Sequence, residues 1–151
     1  MLESIYRVEG AAAETSAFAG GPWSPKLQHG AAPSSLICWA VEQLPSPVPM
    51  RLVRLTVDLM RPVPVAPLTI DTEVVREGRK IQLLSIRLLA DGIEVVRASA
   101  LRIRIDAQEP PAIAHGPAVA LPMPELCGPP DFFATETPFL KGIEMRVARG
   151  G

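Results

Sequence analysis

The chain has 151 residues, of which 48% are apolar and 21% charged, and a formal net charge of −1. That length suits one ordinary domain with its own core, and the composition lies far from the disordered and membrane classes. With no excess of positive charge there is no field to gather nucleic acid or an anionic membrane surface, and 5% aromatics point to an aliphatic core.

The first ten residues carry Glu3, Arg7 and Glu9 and no apolar stretch of the kind that directs secretion. No segment approaches the length of a membrane span, so a cytoplasmic location is expected. Cys38 and Cys127 are the only cysteines. They are too few for a disulfide framework or a zinc site and are expected to be reduced, with a single bridge between them left open. No metal and no cofactor is implied.

Residues 4–8 and 12–18 flank Glu9-Gly10 and suggest an N-terminal hairpin. Residues 31–44 form the one strong helix pattern: Leu36, Ile37, Ala40, Val41 and Leu44 recur at helical spacing. Pro33 suits an early position, Ser34 and Ser35 lie in the first turns, and Pro45 and Pro47 prevent continuation. In residues 52–59, Val53, Leu55, Val57 and Leu59 alternate with Arg54, Thr56 and Asp58, as in a half-buried strand. Pro62, Pro64 and Pro67 break that run. Strands are expected over 68–76, 81–90 and 93–105, with Glu77-Gly78-Arg79 as one turn and Asp91-Gly92 as a type I′ hairpin turn. Four consecutive strands in an antiparallel meander follow, packed against one long helix in a two-layer α+β domain. Residues 106–130 hold seven prolines and read as an extended linker. From Phe139 to Arg149 the alternation of Ile143, Met145 and Val147 is strand-like again.

Three blocks together resemble the TesB-like acyl-CoA thioesterases: Gly21-Pro22-Trp23 with Gln28-His29-Gly30; residues 53–64, which run into Arg61-Pro62; and residues 75–79 with Ala90-Asp91-Gly92 and residues 98–102. The similarity covers most of residues 21–104. It implies the hotdog fold, in which a long helix is wrapped by an antiparallel sheet, and a pair of such domains joined by a proline-containing linker. On this pattern residues 1–105 are the N-terminal hotdog domain, 106–136 the linker, and 137–151 the start of a second hotdog domain or a terminal strand. The implied activity is hydrolysis of an acyl-CoA or another acyl thioester to free acid and CoA. The implied partner is a separate C-terminal half or, through homo-oligomerisation, a second copy. A non-catalytic acyl-CoA-binding module is the alternative.

Thioester hydrolysis needs a carboxylate to activate water and fixed dipoles facing the carbonyl oxygen. The resemblance places the dipoles at the helix N-terminus, here Gly30-Ala31-Ala32. It draws the family's Asp, Ser or Thr, and Gln from the second domain. The corresponding places in this half fall near Cys38, Leu52 and Ala100, none of which performs that chemistry. The remaining catalytic candidates are His29, Glu42 and Asp58. Against them stand a helix-capping role for His29, a solvated final helical turn for Glu42, and a polar outer sheet face for Asp58. Expected substrate contacts are Trp23, Gln28, His29, Gly30 and Ala31. Trp23 could floor an acyl channel or anchor its loop, and Gln28 could cap the helix. Cys38 beside His29 could form a nucleophilic pair or be a small buried hydrophobe. Arg76, Arg79, Lys80 and Arg102 could meet CoA phosphates. His115, in the linker, is expected to face solvent.

Overall fold

A computed structural model describes residues 4–107, 120–130 and 137–148. A short hairpin, β1 (Tyr6–Glu9) and β2 (Ala12–Thr15), is followed by a 3₁₀ turn at Ala17–Ala19 and by the helix α1 (Ala31–Gln43). Four long strands come next: β3 (Met50–Leu59), β4 (Leu68–Arg76), β5 (Ile81–Ala90) and β6 (Ile93–Arg104). They form one six-stranded sheet of order β1-β2-β4-β5-β6-β3, antiparallel throughout. One central helix against this sheet is the hotdog arrangement.

The helix follows from its spacing. Ala32, Pro33, Leu36, Ile37, Ala40 and Val41 are buried, in pairs four residues apart, which sets them on one stripe. That stripe meets the inner faces of β5 and β6, where Leu84, Ile86 and Leu88 alternate out of phase with the half-exposed Leu83, Ser85 and Leu89. Burying each large aliphatic side chain here contributes roughly 1.5–3 kcal/mol. At the β5–β6 turn Asp91 and Gly92 have φ of 49° and 75°, the left-handed pair that a type I′ turn requires.

Three expectations need correction. The strands are not a four-strand meander: β4, β5 and β6 are, but β3 lies beyond β6. The connection through residues 60–67 therefore passes the ends of β6 and β5 to reach β4. That crossing is about 14 Å at ordinary strand spacing, within reach of eight extended residues. The face of β3 also differs. The pairing of β3 with β6 shifts register between Leu52 and Arg54, so Leu52, Leu55 and Val57 pack on the core while Val53 is 50% exposed; Leu59, in phase with Leu55 and Val57 but at the strand's end, is 54% exposed. One extra residue in a strand reverses the alternation on one side of it. Finally, residues 138–141 are a helical turn, α2 (Pro138–Lys141), capped by Thr137 Oγ1, and among the described residues the strand expectation survives as a single bridge between Val147 and Gly128. Proline at the first helical position and a threonine cap favour the turn.

Candidate functional site

The loop before α1 is tied down from several sides. Gly20 bridges to Gln28 and Leu27 to Pro64. Gln28 N–H donates to Val63 O at 2.8 Å, Val65 N–H to Lys26 O at 2.8 Å, and His29 N–H to Ala19 O at 2.7 Å. The crossing connection thus serves as a strap for the site loop. Gly21 is needed for this closure, because a Cβ there would stand 3.1 Å from the His29 nitrogen.

Gln28 is buried and does not cap the helix. Its Oε1 accepts from the Tyr6 hydroxyl, and its Nε2 donates to Pro64 O at 2.7 Å. Burial pushes the Tyr6 pKa above its ordinary value, as expected for a phenol that would have to ionise out of contact with water. The side chain thus fastens β1, the site loop and the strap together.

His29 takes the capping role. Its Nδ1 accepts from the Ala31 N–H at 3.2 Å, and its carbonyl accepts from the Ala32 N–H at 2.9 Å. Pro33 has no N–H to offer. Gly30, the residue at the cap position, is exposed, and no bond from its N–H is found among the described residues. That N–H is the donor left open at the positive end of α1. Leu59 lies beside it, with its Cδ1 3.6 Å from where a Gly30 Cβ would be. Trp23 is 92% exposed, so the loop-anchoring alternative does not describe it.

Sequence reasoning missed Phe139. Its ring is stacked on His29, with centroids 4.6 Å apart and planes within 4°. Its N–H donates to Gly20 O at 3.0 Å, and it is buried with Ala19 and Ala32. The α2 turn therefore packs on the loop before α1 and holds the imidazole in the orientation that caps the helix. The only sequence signal is Thr137-Pro138 ahead of two apolar residues, a helix-start pattern.

The other candidates do not converge on Gly30. Glu42 is exposed in the last turn of α1, about 18 Å along the helix from Gly30 at 1.5 Å per residue. Asp58 is exposed on β3, directly across from Arg97. This is the outer sheet face, where Arg97 and Arg87 also meet Glu94, and Arg87 meets Asp71. The Arg97 hydrogen bond holds the Glu94 carboxyl below its usual pKa. Cys38 is half-buried on α1, and burial, with Glu42 adding to it, raises its thiol pKa, the opposite of an activated nucleophile. Leu52 packs on the core and Ala100 is buried in it. Arg76, Arg79 and Lys80 are exposed at the β4–β5 turn, whereas Arg102 is buried under the end of α1. His115 lies outside the described residues. Among the described residues no three His, Cys, Asp or Glu side chains are grouped to hold a metal, and no helix is long and apolar enough to cross a membrane.

Residues 19–103, more than half of the chain, match the family model described as acyl-CoA thioesterase N-terminal domain. The chain belongs to this family. Solved structures share its fold. A hot dog fold protein of unknown function from Alicyclobacillus acidocaldarius matches 90% of this chain and 50% of its own, with 20% identity and a TM-score of 0.67. The BH2602 protein from Bacillus halodurans, solved with CoA, matches 61% of this chain and 64% of its own, with 16% identity and a TM-score of 0.53. A hypothetical thioesterase from Streptococcus pneumoniae, solved with coenzyme A, matches 69% of this chain and 88% of its own, with 14% identity and a TM-score of 0.55. This thioesterase-family chain thus spans about half the length of the Alicyclobacillus protein and 64% of the Bacillus one. No curated protein gives a significant match.

Proposed function

We propose that this chain acts as the N-terminal hotdog half of an acyl-CoA thioesterase, presenting the thioester carbonyl to the Gly30 N–H while a carboxylate from a companion half activates water. The observation that carries this reading is the open Gly30 N–H at the start of α1, in a chain of this family. A fixed backbone dipole facing the oxygen where negative charge develops is the element of thioester hydrolysis that this half can supply. Ala31 is not a second donor while His29 occupies its N–H. In this reading His29 orients the helix end rather than moving a proton, and Trp23 and Leu59 border the acyl chain. Residues 1–105 form the hotdog unit, 106–136 the linker, and 137–151 the start of a second hotdog domain, whose α2 turn packs back on the loop before α1. The catalytic partner in this reading is a separate C-terminal half in the cytoplasm; pairing with a second copy of the chain belongs to the binding-module reading.

The same geometry favours a second reading, a module that binds acyl-CoA without cleaving it, because Glu42 and Asp58 both lie away from Gly30. Free-thiol release from acyl-CoAs of several chain lengths separates the two. The first reading expects no turnover by this chain alone and turnover when a matching C-terminal half is added. Binding without turnover in both mixtures selects the module. Turnover by this chain alone, lost in Glu42→Gln or Asp58→Asn, overturns the assignment of the carboxylate to a companion.

A further inference from the structure

A polar cluster lies at the end of α1 remote from Gly30. Gln82 on β5 and Arg102 on β6 are direct cross-strand partners on the helix-facing side, and they are only 0% and 6% exposed. Arg102 Nη1 donates to Leu44 O at 2.8 Å and to Val41 O at 3.0 Å, the latter also accepting the Leu44 N–H at 3.4 Å, so the guanidinium answers carbonyls of the helix end. Gln82 Nε2 donates to Pro45 O at 3.2 Å and to Glu77 Oε2 at 3.3 Å. These bonds pin the end of the helix to the sheet, yet two groups remain unanswered. No carboxylate among the described residues pairs with Arg102, and Gln82 Oε1 is buried without a donor.

A buried guanidinium without a counter-ion is costly, and a helix C-terminus offsets only about half of one charge. With Nη1 committed to the helix, Arg102 keeps Nε–H and the Nη2 hydrogens. That edge is the one through which a guanidinium takes a carboxylate by two parallel bonds. Arg102 lines a cleft of about 340 Å³. Arg51 and Glu42 also line it, and its apolar walls are Met50, Leu52 and Ile105.

We propose that this cleft binds a small carboxylate with a short apolar tail, the carboxylate on Arg102 and the tail against Met50, Leu52 and Ile105. Arg51 adds attraction and Glu42 opposes it. The site is distinct from the thioester site, since the thirteen residues of α1 separate them by about 20 Å, and it stands or falls independently of the proposed reaction.

The test is titration of the ¹⁵N-labelled full chain with sodium hexanoate, with acetate and inorganic phosphate as comparisons. Hexanoate is expected to give saturable shifts of the Arg102 side-chain Nε–H and to bind more tightly than acetate or phosphate. Arg51→Ala is expected to weaken hexanoate binding, and Glu42→Gln to strengthen it, each by about two- to fivefold as for other part-exposed charge pairs. Both residues are exposed, so these variants decide the matter even where Arg102→Lys fails to fold. Absence of a saturable shift at Arg102, phosphate binding as well as hexanoate, or affinity unchanged in both variants overturns the proposal.

Discussion

Tyr6 and Phe139 hold the site from two sides, and each makes a separate prediction. The Tyr6 hydroxyl donates a hydrogen bond to Gln28 Oε1, and burial raises its pKa. An unfolded tyrosine begins to ionise near its ordinary value of 10.0, while the folded one stays protonated. The unfolded state then binds fewer protons, so the stability from this residue is fully present below pH about 10 and is lost as pH rises toward the folded value, by at most about 1.4 kcal/mol per pH unit. Tyr6→Phe should flatten that alkaline decline in urea titrations, and at neutral pH should cost about 1–3 kcal/mol by leaving the buried Gln28 Oε1 without a donor. An unchanged alkaline limb in the variant would place the ionising group elsewhere. Phe139→Ala should cost about 3–5 kcal/mol for the lost burial. It should also shift the His29 ring ¹⁵N resonances, because the imidazole loses the surface that fixes its Nδ1 on Ala31. Unchanged ring resonances would mean that the stack does not orient His29.

At the scale of elements, the β5–β6 hairpin rests on two left-handed residues. Gly92, with φ at 75° and open space where a Cβ would go, is required by backbone conformation alone. Gly92→Ala should destabilise by about 1 kcal/mol, measured by denaturant unfolding, and a neutral outcome would mean that the turn relaxes to another type. The Asp91-Gly92 signal was readable in the sequence because turn chemistry is local, and α1 was readable because its apolar residues repeat at 3.6. The place of β3 was not. Residues 52–59 carry a clear strand pattern, but a pattern names no pairing partner, and the adjacency of β3 to β6 joins residues 37 (Leu59 and Val96) to 54 (Met50 and Arg104) positions apart. The bulge at Val53 was hidden for the same reason, since it exists only relative to β6. Gln28 and His29 stood out in the motif before the helix, but their roles, the tie to Tyr6 and Pro64 and the cap on Ala31, depend on partners that the motif does not name. Phe139 was not, because a proline-rich stretch stands between it and the loop it touches.

For the whole molecule, the two sheet edges differ. β1 is four residues long and bears Arg7 and Glu9, which discourage further pairing. β3 is ten residues long, with Val53 and Leu59 exposed on it and Met60 just beyond. An edge of that length and character invites a partner strand. Light scattering should therefore find a homodimer or higher oligomer, or a heterodimer once a companion half is supplied, and a monomer indifferent to that companion would contradict the proposed pairing. The proposed function rests on the Gly30 N–H, and an acyl-CoA titration of the ¹⁵N-labelled chain, followed at its backbone amides, reads that group directly. A saturable shift of the Gly30 amide, accompanied by Trp23 and His29, is the expected result for the proposed function. Saturation at other amides with Gly30 unmoved, or no saturation at any, would contradict it.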